Sequence, residues 1–329
     1  MKNWVKLTAV ALASTAVLGA CGKSDTDGKS SGSKDADYTI GATQIVEHPS
    51  LDAAYKGFQE AIKDKGLKVK YDFQNAQNDK SNVNTISNNF VSKKVDLIFA
   101  NSTPSALGAL QATKEIPIVF TSVTDAVESG IAKSREDHPD NITGVLDLHP
   151  DAIKKTVDFI NENFKGATVG LLYNAGEQNS VTQIKQVEKA GKGTDLKFEK
   201  RTVSTSAEVS QAAKTLAGKA DVIYVVTDNT VVSALDSVVK VANEQKIPLV
   251  VGEPESLNKG GFATFGIDYH SIGYRAGEMA VDILKGDKKT KDLPIEYPQD
   301  MKLMINKKAA EKQGVKWNKA WDKNAEIVD

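Results

Sequence analysis

Glu47 and His48 stand side by side in the stretch TQIVEHPSLDAAYKGF (43–58), with Gln44 three residues ahead of them. A carboxylate next to an imidazole can serve acid–base catalysis, hold a metal, or contact a bound molecule. Pro49 and Ser50 fit an ordinary helix start equally well. Similar polar clusters recur down the chain: Asn101, Ser102 and Thr103; Ser122, Thr124 and Asp125; Asn174, Glu177, Asn179 and Ser180; Thr227, Asp228 and Asn229; then Glu253 and Asp268. Asp125 and Asp228 are candidate partners for an ammonium group, since a charge-assisted hydrogen bond is stronger than a neutral one. Helix N-termini at such loops offer free N–H groups and partial positive charge for a carboxylate. A zwitterion suits this inventory. Each residue also has a plainer role as a helix cap, although of the adjacent Asp228 and Asn229 only one can cap.

The elements that must position these groups alternate. Strand candidates are YTIGATQIV, VKYDF, DLIFA, IPIVF, TVGLLYN, VIYVV, IPLVV and FATFGI, mostly continuous apolar runs expected of strands buried on both faces of a parallel sheet. Between them lie amphipathic helices. The first places Leu51, Ala54, Tyr55, Phe58 and Ile62 on one face, with Ser50 as its expected cap and Gly66 as its stop. This is an α/β pattern with right-handed crossovers, and its polar clusters fall beyond the carboxyl ends of the strands, where open α/β sheets bind ligands.

The pattern also repeats. DLIFANSTPSALGALQATKEIPIVF (96–120) reads like DVIYVVTDNTVVSALDSVVKVANEQKIPLVV (221–251), and IGATQIVEHPSLDAAYKGF reads like VGLLYNAGEQNSVTQIKQV. Two similar lobes follow, beginning near Tyr38 and near Leu148. In the second pair a shared Glu-x-x-Ser aligns Glu47 with Glu177 and leaves His48 opposite Gln178. That frame makes Glu47 a wall of a cleft between lobes and His48 a local polar residue.

Catalytic signatures are absent. The four histidines (His48, His138, His149, His270) form no metal-ligand pair, and there is no Gly-x-Ser-x-Gly elbow and no Gly-rich phosphate loop. We therefore expect no enzyme, no metal and no cofactor, although two facing carboxylates would leave glycosidase chemistry formally open. A net charge of −1 gives no field for nucleic acid. The N-terminus MKNWVK followed by LTAVALASTAVLGA has the form of an export signal over residues 1–20. Its end, Leu18-Gly19-Ala20-Cys21, resembles a bacterial lipobox, which implies acylation of Cys21, the sole cysteine. Residues 21–37 read as a flexible tether. Beyond them lie about 290 residues, enough for two domains.

Taken together, ATQIVEHPSLD, YNAGEQNS, TDNTVVSALD and DYHSIGYRAGEMA resemble the substrate-binding lipoproteins of tryptophan/tyrosine-type ABC importers, over Tyr38 to Gly286. The resemblance implies a type I periplasmic-binding-protein fold: two α/β lobes joined by three crossovers, with a ligand trapped between them. Lobe 1 would span 38–145 plus about 269–293, and lobe 2 146–268 plus about 294–329, with crossings near Val145, Asp268 and Pro294. It implies capture of an amino acid, aromatic and tryptophan first, by a monomer anchored outside the cytoplasmic membrane, and delivery to an ABC permease with a cytoplasmic ATPase. Other small ligands (a branched-chain amino acid, nucleoside or sugar) and a tethered sensor are the alternatives. The carried-over cleft positions are Gln44, Glu47, Asn179, Ser180, Asp228, Asn229 and Asp268. Asp228 is expected to hold the ammonium, and Asn101–Thr103 with Ser122–Asp125 the carboxylate. No tryptophan lies near this cleft (Trp4, Trp317 and Trp321 are terminal), which disfavours a sugar. Of Phe120, Tyr173 and Tyr269, each fits a core role better than a pocket role.

Overall fold

The computed structural model describes residues 36–328. The export signal, Cys21 and nearly all of the tether lie outside these residues. In chain order the first lobe comprises β1 (Tyr38–Gln44), α1 (Pro49–Asp64), β2 (Val69–Asn75), α2 (Lys80–Lys93), β3 (Leu97–Asn101), α3 (Thr103–Ala112), β4 (Ile118–Val123) and β5 (Ile142–Leu146). There follow α4 (Ala152–Asn163), β6 (Thr168–Asn174), α5 (Gln178–Ala190), β7 (Lys197–Val203), α6 (Val209–Ala217), β8 (Val222–Val225), α7 (Asn229–Ser233), α8 (Leu235–Gln245), β9 (Leu249–Val251), α9 (Pro254–Asn258) and β10 (Ala263–Gly266). The chain ends with α10 (Tyr269–Lys285), β11 (Lys302–Asn306), α11 (Lys307–Lys312), α12 (Trp321–Asn324) and β12 (Glu326–Val328).

The strands form two sheets. The first runs β2-β1-β3-β4-β5, and the second, read in the same sense, runs β7-β6-β8-β9-β10 before adding β11 and β12. All neighbouring pairs are parallel except β10 with β11. The α/β fold of two similar lobes is therefore present, each lobe a largely parallel sheet with helices on both faces. Continuous apolar strands are explained by this layering. In β3, Ile98 and Ala100 pack under α2 and α3 while Leu97 and Phe99 pack under α1 and α10. In β8, Val222 and Tyr224 face one core while Ile223 and Val225 face another.

The chain passes between sheets after β5, between β10 and α10, and before β11. Helix α10 packs on α1 against the first sheet, and the segment after it lies along β5, where Glu296 N–H bonds the Gly144 carbonyl. The rims of the two lobes touch. Ser50 Oγ donates to Glu255 Oε2 at 3.0 Å, Asn78 Nδ2 to Thr230 Oγ1 at 2.7 Å, and Gln178 Nε2 to the Glu128 carbonyl at 2.9 Å. The lobes are closed on one another.

One expected detail changes at the start of α1. Pro49 occupies its first turn and His48 is the N-cap residue, with no side-chain cap bond. Ser50 therefore sits inside the helix, and its hydroxyl serves the contact to Glu255 rather than a cap. Gly66 does end the region, in the left-handed conformation at φ 77° just past Lys65.

Candidate functional site

A small, largely enclosed cavity lies between the lobes. The first lobe contributes His48, Leu51, Ser122 and Thr124, and the second contributes Asn179, Thr227, Asn229, Val232 and Glu253. Asp147 and Tyr269, at the two crossings nearest the cavity, complete the lining. Every wall is the end of a strand or the start of a helix, so the cavity occupies the edge where loops from both sheets converge.

The acidic end is made by Asp147 and Glu253. Asp147 follows β5 directly and is buried; its Oδ2 accepts from the Tyr269 hydroxyl at 2.9 Å, while Oδ1 has no partner. Burial pushes its carboxyl up to about 6, helped by the nearby charge of Glu253 and only partly offset by the hydrogen bond from Tyr269. Glu253, 1% exposed, accepts from Ser256 Oγ at 2.6 Å, and burial also pushes its pKa up. Among the described residues no lysine or arginine lines the cavity. Two buried carboxylates without a cation are costly, and a cationic occupant would relieve both.

The opposite wall is neutral. His48 is 6% exposed, and burial drives its pKa down to about 4, leaving the ring uncharged. It lines the cavity beside Asn229, and its Nδ1 has no partner. Asn179 donates from Nδ2 to the Thr227 carbonyl at 3.0 Å, and its Oδ1 is likewise unpartnered. Two of the cavity's unsatisfied atoms, Asp147 Oδ1 and Asn179 Oδ1, are acceptors, which calls for a molecule that brings donors.

Behind this wall Glu177 organises the second lobe. It is the N-cap residue of α5 and is buried. Its carboxylate accepts from Asn229 Nδ2 (2.6 Å), Asn229 N (3.1 Å), Thr230 Oγ1 (2.7 Å), Thr230 N (3.0 Å) and Asn179 Nδ2 (3.3 Å). Glu177→Ala leaves these buried donors bare and is expected to cost about 3 kcal/mol or more in urea unfolding. A loss below about 1 kcal/mol would mean that water replaces the carboxylate freely.

Of the residues singled out from sequence, Ser122, Thr124, Asn179, Asn229 and Glu253 are brought together at the cavity. Ser122 reaches it through a left-handed backbone (φ 58°) at the register shift between β4 and β5. Gln44 and Asn101 lie one layer behind: Asn101 Nδ2 donates to Gln44 Oε1 at 3.0 Å and Ser122 Oγ donates to Asn101 Oδ1 at 2.7 Å, so they orient Ser122. Ser102 caps α3, and Thr103 Oγ1 accepts from the Thr124 N–H at 3.4 Å.

Four expectations are corrected. Glu47 is exposed and lines no part of the cavity, because Pro49 starts the helix and turns the neighbouring His48 inward instead. Asp125 spends Oδ1 on the Val127 and Glu128 N–H groups of its own turn and borders a separate surface groove. Asp228 caps α7 through Val231 N at 2.8 Å and holds Asn174 N at 2.6 Å. Each of its oxygens already accepts a backbone N–H and it does not line the cavity; burial and the Glu177 charge push its pKa up to about 7. Asp268 is exposed and caps α10 through His270 N at 2.9 Å. The next residue, Tyr269, enters the cavity, while Phe120 and Tyr173 stay with the cores. Asp147 was missed with its strand, and His48 was set aside by the Glu-x-x-Ser frame.

Residues 39–328 match the family model described as ABC transporter substrate binding protein. The chain belongs to that family. It is thereby a binding protein and not an enzyme. It is 42% identical over 314 residues to a tyrosine-binding protein of Clostridioides difficile, covering 93% of this chain and 90% of that one. A Streptococcus pneumonia ABC domain solved in complex with L-Trp is 33% identical, with a TM-score of 0.83 over 88% of this chain and 99% of that one. A ligand-free, open substrate-binding protein with adhesive properties from Clostridium difficile is 38% identical, with a TM-score of 0.65 over 89% and 99%. The fold of this substrate-binding protein is that of the type I periplasmic binding proteins.

Proposed function

We propose that this substrate-binding protein captures a free aromatic amino acid, tyrosine or tryptophan, by closing its lobes over the molecule, and hands it to an ABC permease. The observation that carries the reading is Asp147 Oδ1: a buried carboxylate oxygen without a partner, in an interlobe cavity that no lysine or arginine lines among the described residues. An α-ammonium supplies charge and up to three donors there, toward Asp147 and Glu253. The hydroxyls of Ser122 and Thr124 and the loop N–H groups around them are suited to the α-carboxylate. Leu51, Val232 and Tyr269 supply the apolar surface for the ring. The names of the relatives fit this class, one binding tyrosine and one solved with L-Trp.

Closure is the working step. Contacts made by both lobes exist only when they meet, so a ligand that touches both shifts the open–closed balance by its differential affinity. The lower TM-score against the open relative than against the L-Trp complex, despite higher identity, fits a closed form here. Acylation of Cys21 would hold the monomer at the outer face of the cytoplasmic membrane, beside its permease. Among the described residues no helix is long and apolar enough to cross a membrane.

A thermal-shift panel of amino acids, sugars and nucleosides tests the reading. Tyrosine or tryptophan at about a hundred times its Kd is expected to add about 2.7 kcal/mol of stability. Absence of any shift with both amino acids would sink it.

A further inference from the structure

We infer that Arg275 and Glu296 are positioning residues for the ligand's ammonium: their ion pair braces α10 against β5, so that the Tyr269 hydroxyl stays on Asp147 Oδ2 and Oδ1 is kept for the ligand. The inference rests on the amino-acid reading above and adds what holds its central carboxylate in place.

Asp147 needs such a brace. Its Oδ2 accepts from the Tyr269 hydroxyl at 2.9 Å, Oδ1 has no partner, and its backbone N–H bonds the Val123 carbonyl at 3.0 Å. Tyr269 opens α10 and Asp147 follows β5, so the side-chain contact lasts only while helix and strand keep their separation. Val145, Ile272 and Ala276 share the apolar core between them. Burial is non-directional, however, and does not by itself fix the length of a hydrogen bond.

The directional tie runs through Arg275, fewer than two turns further along α10. Its guanidinium forks onto Glu296, Nε to Oε2 at 2.9 Å and Nη2 to Oε1 at 2.8 Å, while Nη1 donates to Glu278 Oε2 at 3.0 Å. A two-bond fork fixes orientation as well as distance. Arg275 is 37% and Glu296 25% exposed, so water screens the pair only in part. Glu296 in turn lies in a ladder beside β5. Its N–H donates to the Gly144 carbonyl at 2.9 Å, and its carbonyl accepts from the Leu146 N–H at 2.8 Å. Thr143 Oγ1 donates to the Leu293 carbonyl at 2.8 Å, so residues 293–296 are stitched to the strand. Leu146 is the residue before Asp147. The path from Arg275 through Glu296 to Leu146 therefore closes a ring with the path from Tyr269 to Asp147. Both leave α10 and both arrive at the end of β5. Groups that contact a ligand keep their geometry through such supporting contacts.

The test is calorimetric titration of the mature protein with tyrosine and tryptophan. Arg275→Ala and Glu296→Ala are each expected to weaken binding about fivefold or more, about 1 kcal/mol, and the double variant no more than the weaker-binding single. Lys288→Ala removes an ion pair with Asp282 (2.9 Å) at the other end of α10 and should stay within about twofold of the wild type. The decisive comparison uses Tyr269→Phe, which lacks the hydroxyl to be positioned: there Glu296→Ala should cost less than about twofold. Arg275→Lys keeps the charge without the fork and is expected to lose about twofold or more; it decides the matter if the alanine variants do not fold. Wild-type affinity in every folded variant of the pair overturns the inference. So does an equal loss with and without the Tyr269 hydroxyl, since the pair would then act on the fold at large. Binding of neither amino acid by the wild type would instead overturn the aromatic reading, and this inference with it.

Discussion

Asp147→Asn is expected to weaken binding of tyrosine or tryptophan by about a hundredfold to several thousandfold while making the ligand-free protein more stable. The two effects have one cause. In the closed form Asp147 Oδ1 is buried without a partner, and Glu253 adds a second buried negative charge nearby. Removing one member of a buried ion pair costs about 3–5 kcal/mol, which converts to that loss of affinity. Asparagine keeps an oxygen for the Tyr269 hydroxyl, so the geometry of the crossing survives. The sign of the pH dependence follows from the raised carboxyl, at about 6 against an ordinary 3.8. Above pH 6 the group is charged in every form, and the empty closed form carries a penalty of about 3 kcal/mol. As pH falls from 6 toward 3.8 only the closed form takes up the proton, and the penalty fades. A bound ammonium lowers the carboxyl again and expels that proton, so affinity is expected to rise as pH climbs through 6, and Asp147→Asn should flatten the profile. Calorimetry at pH 5, 6 and 7.5 checks both claims; a loss below about fivefold would remove Asp147 from the ammonium site.

The alternation of strands and helices was legible because most strands are buried on both faces. Four strands, β5, β7, β11 and β12, are not among the apolar runs, and the first of them explains the main gap in the site. β5 is five residues long with a glycine at its centre, and β7 (KFEKRTV) is an edge strand with charged residues along its length. Neither shows a continuous apolar run. Asp147, one residue past β5, was therefore not recognised as an acid at a strand end, although Asp125 and Asp228 were. Capping explains the reverse error, since Asp228 and Asn229 are adjacent and chemically similar. The backbone N–H of Val231 claims the aspartate and leaves the asparagine for the cavity. The internal repeat misled by a single residue. Matching Glu-x-x-Ser pairs Glu47 with Glu177, but in the fold the residues at the same place are His48 and Glu177, the N-cap residues of α1 and α5. Both are buried; Glu177 bonds Asn229, and His48 lines the cavity beside Asn229 from the other lobe. Pro49 fixes that frame in the first lobe, because the helix starts at it. Letters were conserved between the halves one position away from where the roles were.

Gly273→Val is expected to destabilise the protein by about 3 kcal/mol or more and to weaken ligand binding although residue 273 touches no ligand. A Cβ at Gly273 would lie 1.9 Å from the Ala54 carbonyl oxygen, on the backbone of α1. Gly57 and Gly277 meet the facing helix in the same way, with hypothetical Cβ atoms 2.1 Å from the His270 oxygen and 2.6 Å from the Phe58 oxygen. Backbone cannot rotate aside as a side chain can, so α1 and α10 must separate. A glycine inside a helix already costs up to about 1 kcal/mol relative to alanine, and close approach is what offsets it. The consequence reaches the cavity because α1 begins beside His48 and α10 begins with Tyr269, whose hydroxyl holds Asp147. Moving either helix displaces one end of the site from the other. Gly218→Ala is the control: its added Cβ would meet nothing closer than 3.9 Å, and it should change stability by less than about 0.5 kcal/mol. If Gly273→Val melts with the wild type and binds as tightly, the two helices are free to slide, and the placement of His48 relative to Asp147 does not depend on their contact.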